Sequence, residues 1–327
     1  MTKLYFPGAN TGAGFYSRFD GILAPWSKPH YKYILKGGPG VGKNTLMRKV
    51  ARRAADAGYD VEEFRCASDP DSLDAIRVPA LGLIMLDGTA PHSIDPSLPG
   101  IEGEILDLGR FVKRDAFAQH RAELETLFLE NKACYRKAYA LLRAARTLYT
   151  HALEEAAASL DGEAVNAYFV EHVSDAAKGG HRALFTASAT PRGIIDYSET
   201  HLPKGCTRVS GLVGEAVLSL AEQHMQGKQA EICYGFLDPA HPQSIMTEES
   251  ALAVTETGDT LERLCKTPVS AHARYCYAEA YALAARACTV LGDALALHDR
   301  IEAIYRPFVD YDHVNRESET LLSKLGI

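Results

Sequence analysis

The stretch "YKYILKGGPGVGKNTLMRKVARRAADAG" (residues 31–58) decides the fold of this chain. Its first six residues are rich in aromatic and branched side chains and predict a short strand. Residues 44–57 predict a helix with Leu46 and Val50 on one face and Gly58 as its stop. The order of strand, glycine-rich loop and helix predicts an α/β protein that binds phosphate groups.

The glycine-rich loop matches the pattern G-x-x-x-x-G-K-[ST] from Gly37 to Lys43, whereas its last position holds Asn44. Glycines let successive backbone amides converge on a phosphate group, and the helix N-terminus adds its positive dipole end. Lys43 would then reach the β- and γ-phosphates of a nucleoside triphosphate. The predicted nucleotide-binding residues are Gly37, Gly38, Pro39, Gly40, Val41, Gly42, Lys43, Asn44 and Thr45.

A magnesium site is predicted beside this loop. The apolar run "LGLIMLDG" (81–88) predicts a buried strand that ends in Asp87, where a carboxylate can hold the water shell of Mg²⁺. The alternative is that Asp87 only starts the Asp-Gly turn. Asn44 can supply an amide oxygen but no charge, so we expect it to weaken turnover more than affinity. Lys43 and Asp87 are the predicted catalytic residues, and Asn44 and Asp87 the predicted metal ligands.

No hydrolytic base is visible in the sequence. Gly88 follows Asp87 where many phosphate-loop ATPases have glutamate, although Glu102 and Glu104 lie nearby. Transfer to a bound acceptor and slow hydrolysis therefore both stay open.

Two polar loops are predicted at the same end of the sheet. The segment "CASDPDSLD" (66–74) follows a predicted strand at 60–65, and "DGTAPHSIDPSLPG" (87–100) follows the strand at 81–88. Ligands of open α/β sheets bind at the carboxyl ends of strands, but Asp-Pro and Pro-Gly pairs are also ordinary turn chemistry. The candidate substrate residues in these loops are Asp69, Asp71, Ser72, His92 and Asp95.

The composition predicts a soluble globular protein. The chain has 327 residues, of which 46% are hydrophobic and 24% charged, which is enough for two domains. Seven cysteines without a C-x-x-C pair argue against a disulfide framework or a zinc site. No signal pattern and no apolar run of about 18 residues stand out, so we expect a cytoplasmic protein without a membrane span.

The charge pattern makes nucleic acid an unlikely partner, because the net charge is −7. Residues 1–53 nevertheless contain ten Lys or Arg and one acid, Asp20. The cations of the predicted helix, such as Arg48, Lys49 and Arg52, form either a solvated face or the border of a site for a polyanionic ligand.

The two halves of the chain share three ordered segments, which predicts an internal repeat. The matching pairs are 4–15 with 183–194, 64–72 with 233–241, and 135–153 with 277–295. In the second half, "RVSGLVGEAVLSL" (208–220) stands at the loop position without a lysine. Glu215 would repel phosphates there, so we expect no nucleotide in the second copy, whose role is then structural.

The predicted fold class is α/β, with a P-loop NTPase fold in two pseudo-repeated copies that each carry a long helical-hairpin insertion. The first copy covers residues 1–178, with its hairpin at about 107–178. The second copy covers residues 179–327, with its hairpin at about 260–326.

Several motifs together resemble a family of bacterial tandem P-loop proteins described as ATPases or ATP-binding proteins. These motifs are "GANTGAGF", "LKGGPGVGK", "CASDPDSLD" and "DGTAPHSIDPSLPG", followed by a related second half. The resemblance covers nearly the whole chain and implies a P-loop fold in each half, with ATP bound by Gly37 to Thr45. The chain departs from this family at Asn44, where Ser is usual, and in its second half, where the loop has decayed.

These patterns lead to one expected function and two alternatives. The first is Mg²⁺-dependent ATP hydrolysis at the first copy, coupled to a conformational change. The second is a small-molecule or nucleotide kinase with an acceptor that the sequence does not identify. The third is a nucleotide-sensing protein that does not hydrolyse its ligand and acts on a protein partner.

Overall fold

A computed structural model of the chain describes residues 2–28, 30–89, 94–113, 118–173 and 176–326. Of the predicted site residues, His92 lies outside this part. The chain divides into two compact units, each made of separate segments. The first unit contains Met1–Leu4, Lys28–Arg136 and Val290–Ile327, and the second contains Tyr5–Ser27 and Lys137–Thr289. The units therefore follow a different division from that of the sequence copies 1–178 and 179–327.

The described chain is mixed α/β. The strands are β1 (Thr2–Tyr5), β2 (Gly8–Thr11), β3 (Gly14–Ser17), β4 (Tyr31–Lys36), β5 (Val61–Arg65), β6 (Leu73–Val78), β7 (Leu83–Asp87), β8 (Gly103–Asp107), β9 (His181–Phe185), β10 (Ala187–Thr190), β11 (Gly193–Asp196), β12 (Thr207–Val209), β13 (Ala230–Tyr234), β14 (Pro242–Met246) and β15 (Ala251–Val254). The helices are α1 (Lys43–Asp56), α2 (Arg121–Ser159), α3 (Gly162–His172), α4 (Gly211–Ala221), α5 (Ala271–Tyr305) and α6 (Tyr311–Leu325).

The first unit is built on a six-stranded sheet in the order β1-β5-β6-β7-β4-β8. Strand β4 is parallel to both of its neighbours, β7 and β8. Strand β6 runs antiparallel to β5 and to β7. The parallel pair β4–β7 therefore brings the glycine-rich loop and the end of β7 to the same edge of the sheet.

Helix α1 packs on this sheet through the face that its sequence period predicts. Leu46, Met47, Val50 and Ala54 are buried in one core cluster with the strands and with α6. The helix ends at Asp56, one residue before its predicted end, and Gly58 takes a φ of 87° that an L side chain rarely adopts. Arg48 and Arg52 lie on the opposite, exposed face.

The second unit is built on a five-stranded sheet in the order β12-β15-β14-β13-β9. Strand β12 is parallel to β15 and β13 is parallel to β9, whereas β14 runs antiparallel to both of its neighbours. Two hairpins, β2–β3 and β10–β11, belong to the same unit.

The two sheets share one strand pattern. Reading from the strand that precedes the first sheet helix, the order β4-β7-β6-β5-β1 corresponds to β12-β15-β14-β13-β9. Both sheets also contain a register shift at the matching hairpin, between Phe64 and Arg65 in one and between Cys233 and Tyr234 in the other. The segments that match in sequence therefore take matching structures.

Several element bounds differ from the sequence predictions. The strands expected at 60–65 and 81–88 are shorter, at Val61–Arg65 and Leu83–Asp87. The sequence predicts a loop up to residue 74, whereas β6 begins at Leu73. The helical hairpin is predicted from about residue 107, where β8 (Gly103–Asp107) ends, but helix α2 begins only at Arg121. Strand β6 is buried in spite of its charged residues because Arg77 pairs with Glu62 at 3.1 Å.

One helical segment, Ala271–Phe308, is long and apolar enough to cross a membrane, with a window of mean hydropathy 1.3. Core helices of soluble proteins have the same length and composition. The expected cytoplasmic location, without membrane or nucleic acid as partner, stays a prediction.

Candidate functional site

The glycine-rich loop of the first unit has a backbone that only glycine adopts easily. Gly37, Gly40 and Gly42 have φ angles of 141°, 72° and 101°. A side chain at Gly37 would also meet Val41, whose Cγ2 would lie 2.7 Å from the added Cβ. The three glycines are therefore required by the path of the loop.

Lys43 and Asp87 meet at this loop. Lys43 Nζ donates hydrogen bonds to the carbonyls of Gly37 and Gly38, at 2.5 and 3.0 Å. The same ammonium lies 3.6 Å from Asp87 Oδ2, and the two side chains are only 12% and 18% exposed. The structure thus brings together the predicted phosphate loop, its lysine and the predicted acid.

The second oxygen of Asp87 takes part in a turn. Oδ1 accepts hydrogen bonds from the backbone amide and the hydroxyl of Thr89, at 2.9 and 2.5 Å. Asp87 therefore starts the Asp-Gly turn with one oxygen and directs the other at Lys43.

Asn44 connects the first turn of α1 to the start of β6. Its Oδ1 accepts from the amide of Leu73 at 3.1 Å and from Arg48 Nε at 3.2 Å. Its Nδ2 donates to Ser72 Oγ at 3.4 Å. The amide oxygen would have to release these donors before it could turn to a metal ion.

The loop between β5 and β6 is held by its own polar groups. The Asp69 carboxylate accepts from the amide of Asp71 at 3.2 Å and from the hydroxyl of Ser72 at 2.5 Å. Ser72 lies next to Asn44 through the contact above. Ser72 therefore lies beside the glycine-rich loop, whereas Asp69 stabilises a local turn.

Asp95 lies near the other side of the loop. Its Oδ1 is 3.1 Å from Nζ of Lys36, the last residue of β4, and its side chain is 72% exposed. The same ammonium donates to the carbonyls of Gly88 and Ile94. These contacts connect the described residues Gly88, Ile94 and Asp95 to the end of β4.

Thr45 borders a cavity of about 410 Å³ between α1 and α6. Three cations of α1 line it, Arg48, Lys49 and Arg52, together with Asn315 of α6. Lys49 also pairs with Glu319. The basic helix face predicted from the sequence is thus partly the wall of a cavity that begins at the glycine-rich loop.

Asp74 is a further candidate functional residue, at the end of the polar segment 66–74 that the sequence predicts beside the site. Ala75 of β6 lies opposite Leu86 of β7, so the preceding residue, Asp74, comes next to Asp87. Asp74 is buried, and its pKa is raised to about 7. Burial is the largest cause of this rise and the Asp87 carboxylate adds to it, whereas Lys43 opposes it.

A segment near the end of the chain contacts the loop and was not predicted from the sequence. Glu302 Oε1 accepts from the amide of Gly40 at 3.2 Å, and the Tyr311 hydroxyl donates to the carbonyl of Gly40 at 2.7 Å. The ring of Tyr305 would lie 3.0 Å from a Cβ placed on Gly38. These residues are remote in sequence, so no local pattern could have indicated the contact.

No equivalent loop occurs in the part of the second unit that the structure describes. Ser210 alone separates β12 from α4, whereas residues 37–42 separate β4 from α1. The amide of Thr255 donates to Val209 as the amide of Gly88 donates to Leu35. Val254 therefore occupies the position of Asp87, and neither the loop nor the acid is present here.

Glu215 does not lie at an open phosphate position, in contrast to the expectation. Its carboxylate is buried and accepts hydrogen bonds from the hydroxyls of Tyr149, Tyr277 and Tyr281. Burial raises the pKa of Glu215, and the hydrogen bonds from the tyrosines oppose this rise. Glu215 is therefore the centre of a buried polar network.

No protein-family model, curated protein sequence or solved structure matches the chain. The site is therefore interpreted from its own geometry.

Proposed function

We propose that this chain is a P-loop NTPase that binds ATP with Mg²⁺ at residues 37–45 of the first unit and hydrolyses it there. The observation that carries the proposal is the meeting of Lys43 and Asp87, 3.6 Å apart, at a loop with three positive-φ glycines between β4 and α1. The direct pairing of β4 with β7 supports the P-loop fold, since it puts both motifs at one sheet edge.

Binding would rest on the backbone amides of the loop and on Lys43. The lysine ammonium now donates to two loop carbonyls, and on binding it would exchange these acceptors for phosphate oxygens. Charged hydrogen bonds of this kind are roughly twice as strong as neutral ones.

The residues present fit a magnesium ion next to the phosphates. Asp87 Oδ2 is the anionic oxygen that would hold it, and Asn44 would add a neutral oxygen after releasing Leu73. When bound, Mg²⁺ neutralises charge that develops on the phosphates.

Asp74 is the candidate base. Asp74 lies beside Asp87 at the edge of the sheet, and burial raises the pKa of its carboxyl, so this side chain could accept a proton there. Asp74→Asn should therefore reduce turnover and leave ATP affinity nearly unchanged. Equal losses of affinity and turnover would contradict this role.

Two alternative functions have support of their own. The cavity beside Thr45 is lined by three cations and has room for an anionic acceptor, which favours a kinase. The hydrogen bonds of Asn44 to Leu73 and Arg48 occupy the oxygen expected at the metal, which favours a sensor without turnover.

The second unit has a structural role in this proposal. The shared strand order supports an origin of both sheets by duplication, and the one-residue connection before α4 supports loss of the second phosphate site. A cytoplasmic protein without membrane or nucleic-acid partners completes the proposal.

Calorimetric titration with ATP and GTP, with and without Mg²⁺, tests the nucleotide site. Turnover with and without small anionic acceptors then separates the three functions. Free phosphate alone indicates hydrolysis, a phosphorylated acceptor indicates a kinase, and binding without turnover indicates a sensor. Absence of binding to either nucleotide would reject all three.

A further inference from the structure

We propose that the second unit binds a zinc-class transition-metal ion between α2 and α5, through His151, His272 and Cys276. One ligand atom of each residue lies within 4.8 Å of those of the other two. The proposal is independent of the nucleotide site, because all three residues lie in the second unit.

His272 and Cys276 have the separation that a tetrahedral ion requires. They lie one helical turn apart at the start of α5, so they project from the same face. Cys276 Sγ is 3.6 Å from His272 Nε2. Zinc–sulfur bonds of about 2.3 Å and zinc–nitrogen bonds of about 2.05 Å, at a tetrahedral angle, place these ligand atoms about 3.6 Å apart.

His151 reaches the same point from α2. The centroids of the His151 and His272 rings are 5.4 Å apart. Glu155, one turn further along α2, has its Oε1 3.2 Å from His151 Nε2. Its Oε2 accepts from the Ser270 hydroxyl at 2.6 Å. A carboxylate held in this way orients a metal-bound imidazole and raises its basicity.

The ligand set selects the class of ion. A thiolate and two imidazoles favour Zn²⁺ and similar borderline ions over Mg²⁺, which prefers oxygen ligands. The thiol of Cys276 would release its proton to solvent when the metal binds. Cys276 is buried and His272 is exposed, so the ion would reach the site from solvent on the His272 side.

A second group of possible ligands, His201, Glu231 and Cys233, is less suited to an ion. The carboxylate of Glu231 already accepts hydrogen bonds from Arg182 and Tyr5, both at 2.9 Å. A metal ion bound to Glu231 would require this carboxylate to lose both of its hydrogen-bond donors, which are buried.

The ion would join α2 to α5 within the second unit. The absence of a C-x-x-C pair argues against a zinc site, but it does not address a His-x-x-x-Cys pair that is completed by a histidine from a remote helix. Here each helix contributes residues with one-turn spacing, and the fold brings the two helices together.

Cobalt titration of chelator-treated protein tests the proposal. We expect one Co²⁺ per chain, a thiolate-to-cobalt charge-transfer band in the near ultraviolet, and displacement by Zn²⁺. Cys276→Ser should abolish the band. His272→Gln changes an exposed residue that the fold tolerates, and it should weaken Co²⁺ binding by at least about tenfold.

Cys288→Ser is the matched control, since Cys288 is a buried thiol on the same helix outside the cluster. The Cys288→Ser variant should show the same thiolate-to-cobalt band and the same Co²⁺ affinity as the unmodified chain. Absence of the band in the unmodified chain would overturn the proposal. A band that survives Cys276→Ser, or an affinity that His272→Gln leaves unchanged, would overturn it as well.

Discussion

Lys43 is held inside the glycine-rich loop by the carbonyls of Gly37 and Gly38, close to Asp87. Lys43→Ala removes the cation expected on the phosphates. We expect ATP affinity to fall by at least about tenfold, or 1.4 kcal/mol, in calorimetry. Arg53→Ala removes an exposed cation of the same helix and should have little effect. Equal affinities of the Lys43 variant and the unmodified chain would refute the phosphate-loop interpretation.

Asn44 has replaced the usual hydroxyl residue and holds the start of β6 through Leu73. Asn44→Ser should raise turnover and lower the Mg²⁺ concentration that turnover needs, while Mg²⁺-free affinity changes little. Asp87→Asn should lower turnover and raise the Mg²⁺ concentration that turnover needs. Loss of the Leu73 contact should cost about 1 kcal/mol of stability in the Asn44 variant.

The alternative is that Asn44 serves a sensor that does not turn over. Asn44→Ser would then weaken Mg²⁺-free binding and produce no gain in rate. Turnover and Mg²⁺ dependence measured in both variants decide between the two outcomes.

Asp74 should make stability depend on pH in the protein without nucleotide or metal. Its pKa is about 7 in the fold, against an ordinary value of 3.8, so the folded state keeps a proton that the unfolded state loses. The free energy of unfolding therefore falls as pH rises from about 4 to 7, by at most about 4 kcal/mol, and then levels off. Asp74→Asn should abolish this decrease in the free energy of unfolding with rising pH.

Urea unfolding at several pH values between 5 and 8 measures the effect. The stability gained by Asp74→Asn should grow with pH and become constant above about pH 7. Asp71→Asn, in the exposed part of the preceding loop, is the control and should show no such trend. A gain that is the same at every pH would contradict the raised pKa.

At the scale of elements, the sequence predicted the parts that short-range patterns determine. The strand at 31–36 has the predicted bounds, and the helix after it differs by one residue at each end, because periodicity and glycine positions fix both. Strand β6 was not predicted, because its first residues, Leu73 and Asp74, end the polar segment that predicts a loop. The pairing of Arg77 with Glu62 depends on the fold and is not visible in a local pattern.

The prediction of the site was also limited to what short-range patterns determine. The loop, Lys43 and Asp87 follow from one motif and the strand after it. The contacts of Gly40 with Glu302 and Tyr311, and the cluster of His151 with His272 and Cys276, depend on helices that are remote in sequence. A local pattern contains no information about such pairs.

The contact between Glu302 and the loop leads to a prediction for the last turn of α5. A carboxylate on the amide of Gly40 occupies a donor that a phosphate oxygen would use. Because ATP must displace it, Glu302→Gln should raise ATP affinity, by up to roughly tenfold. Glu317→Gln, on the neighbouring helix and paired with Arg110, should leave the affinity nearly unchanged. A lower affinity in the Glu302 variant would show that this carboxylate supports the nucleotide site.

At the scale of the whole molecule, the two sheets share a strand order but differ at the edge where the first has its glycine-rich loop and Asp87. In the described residues of the second unit, Ser210 alone precedes α4 and Val254 stands in the place of Asp87. We therefore expect one nucleotide per chain in calorimetry, and Lys43→Ala should remove it without leaving a second site.

Glu215→Gln completes this test of one nucleotide per chain, because Glu215 lies in the second unit and accepts hydrogen bonds from buried tyrosines there. It should leave stoichiometry and ATP affinity unchanged. It should lower the free energy of unfolding by about 1–3 kcal/mol, since three tyrosine hydroxyls lose their charged acceptor. Two nucleotides per chain, or a second site that persists in the Lys43 variant, would show that the second copy has kept a phosphate site by other means. A stability loss without any change in binding would instead assign the second copy a purely structural role, in which a buried carboxylate now organises the helices around it.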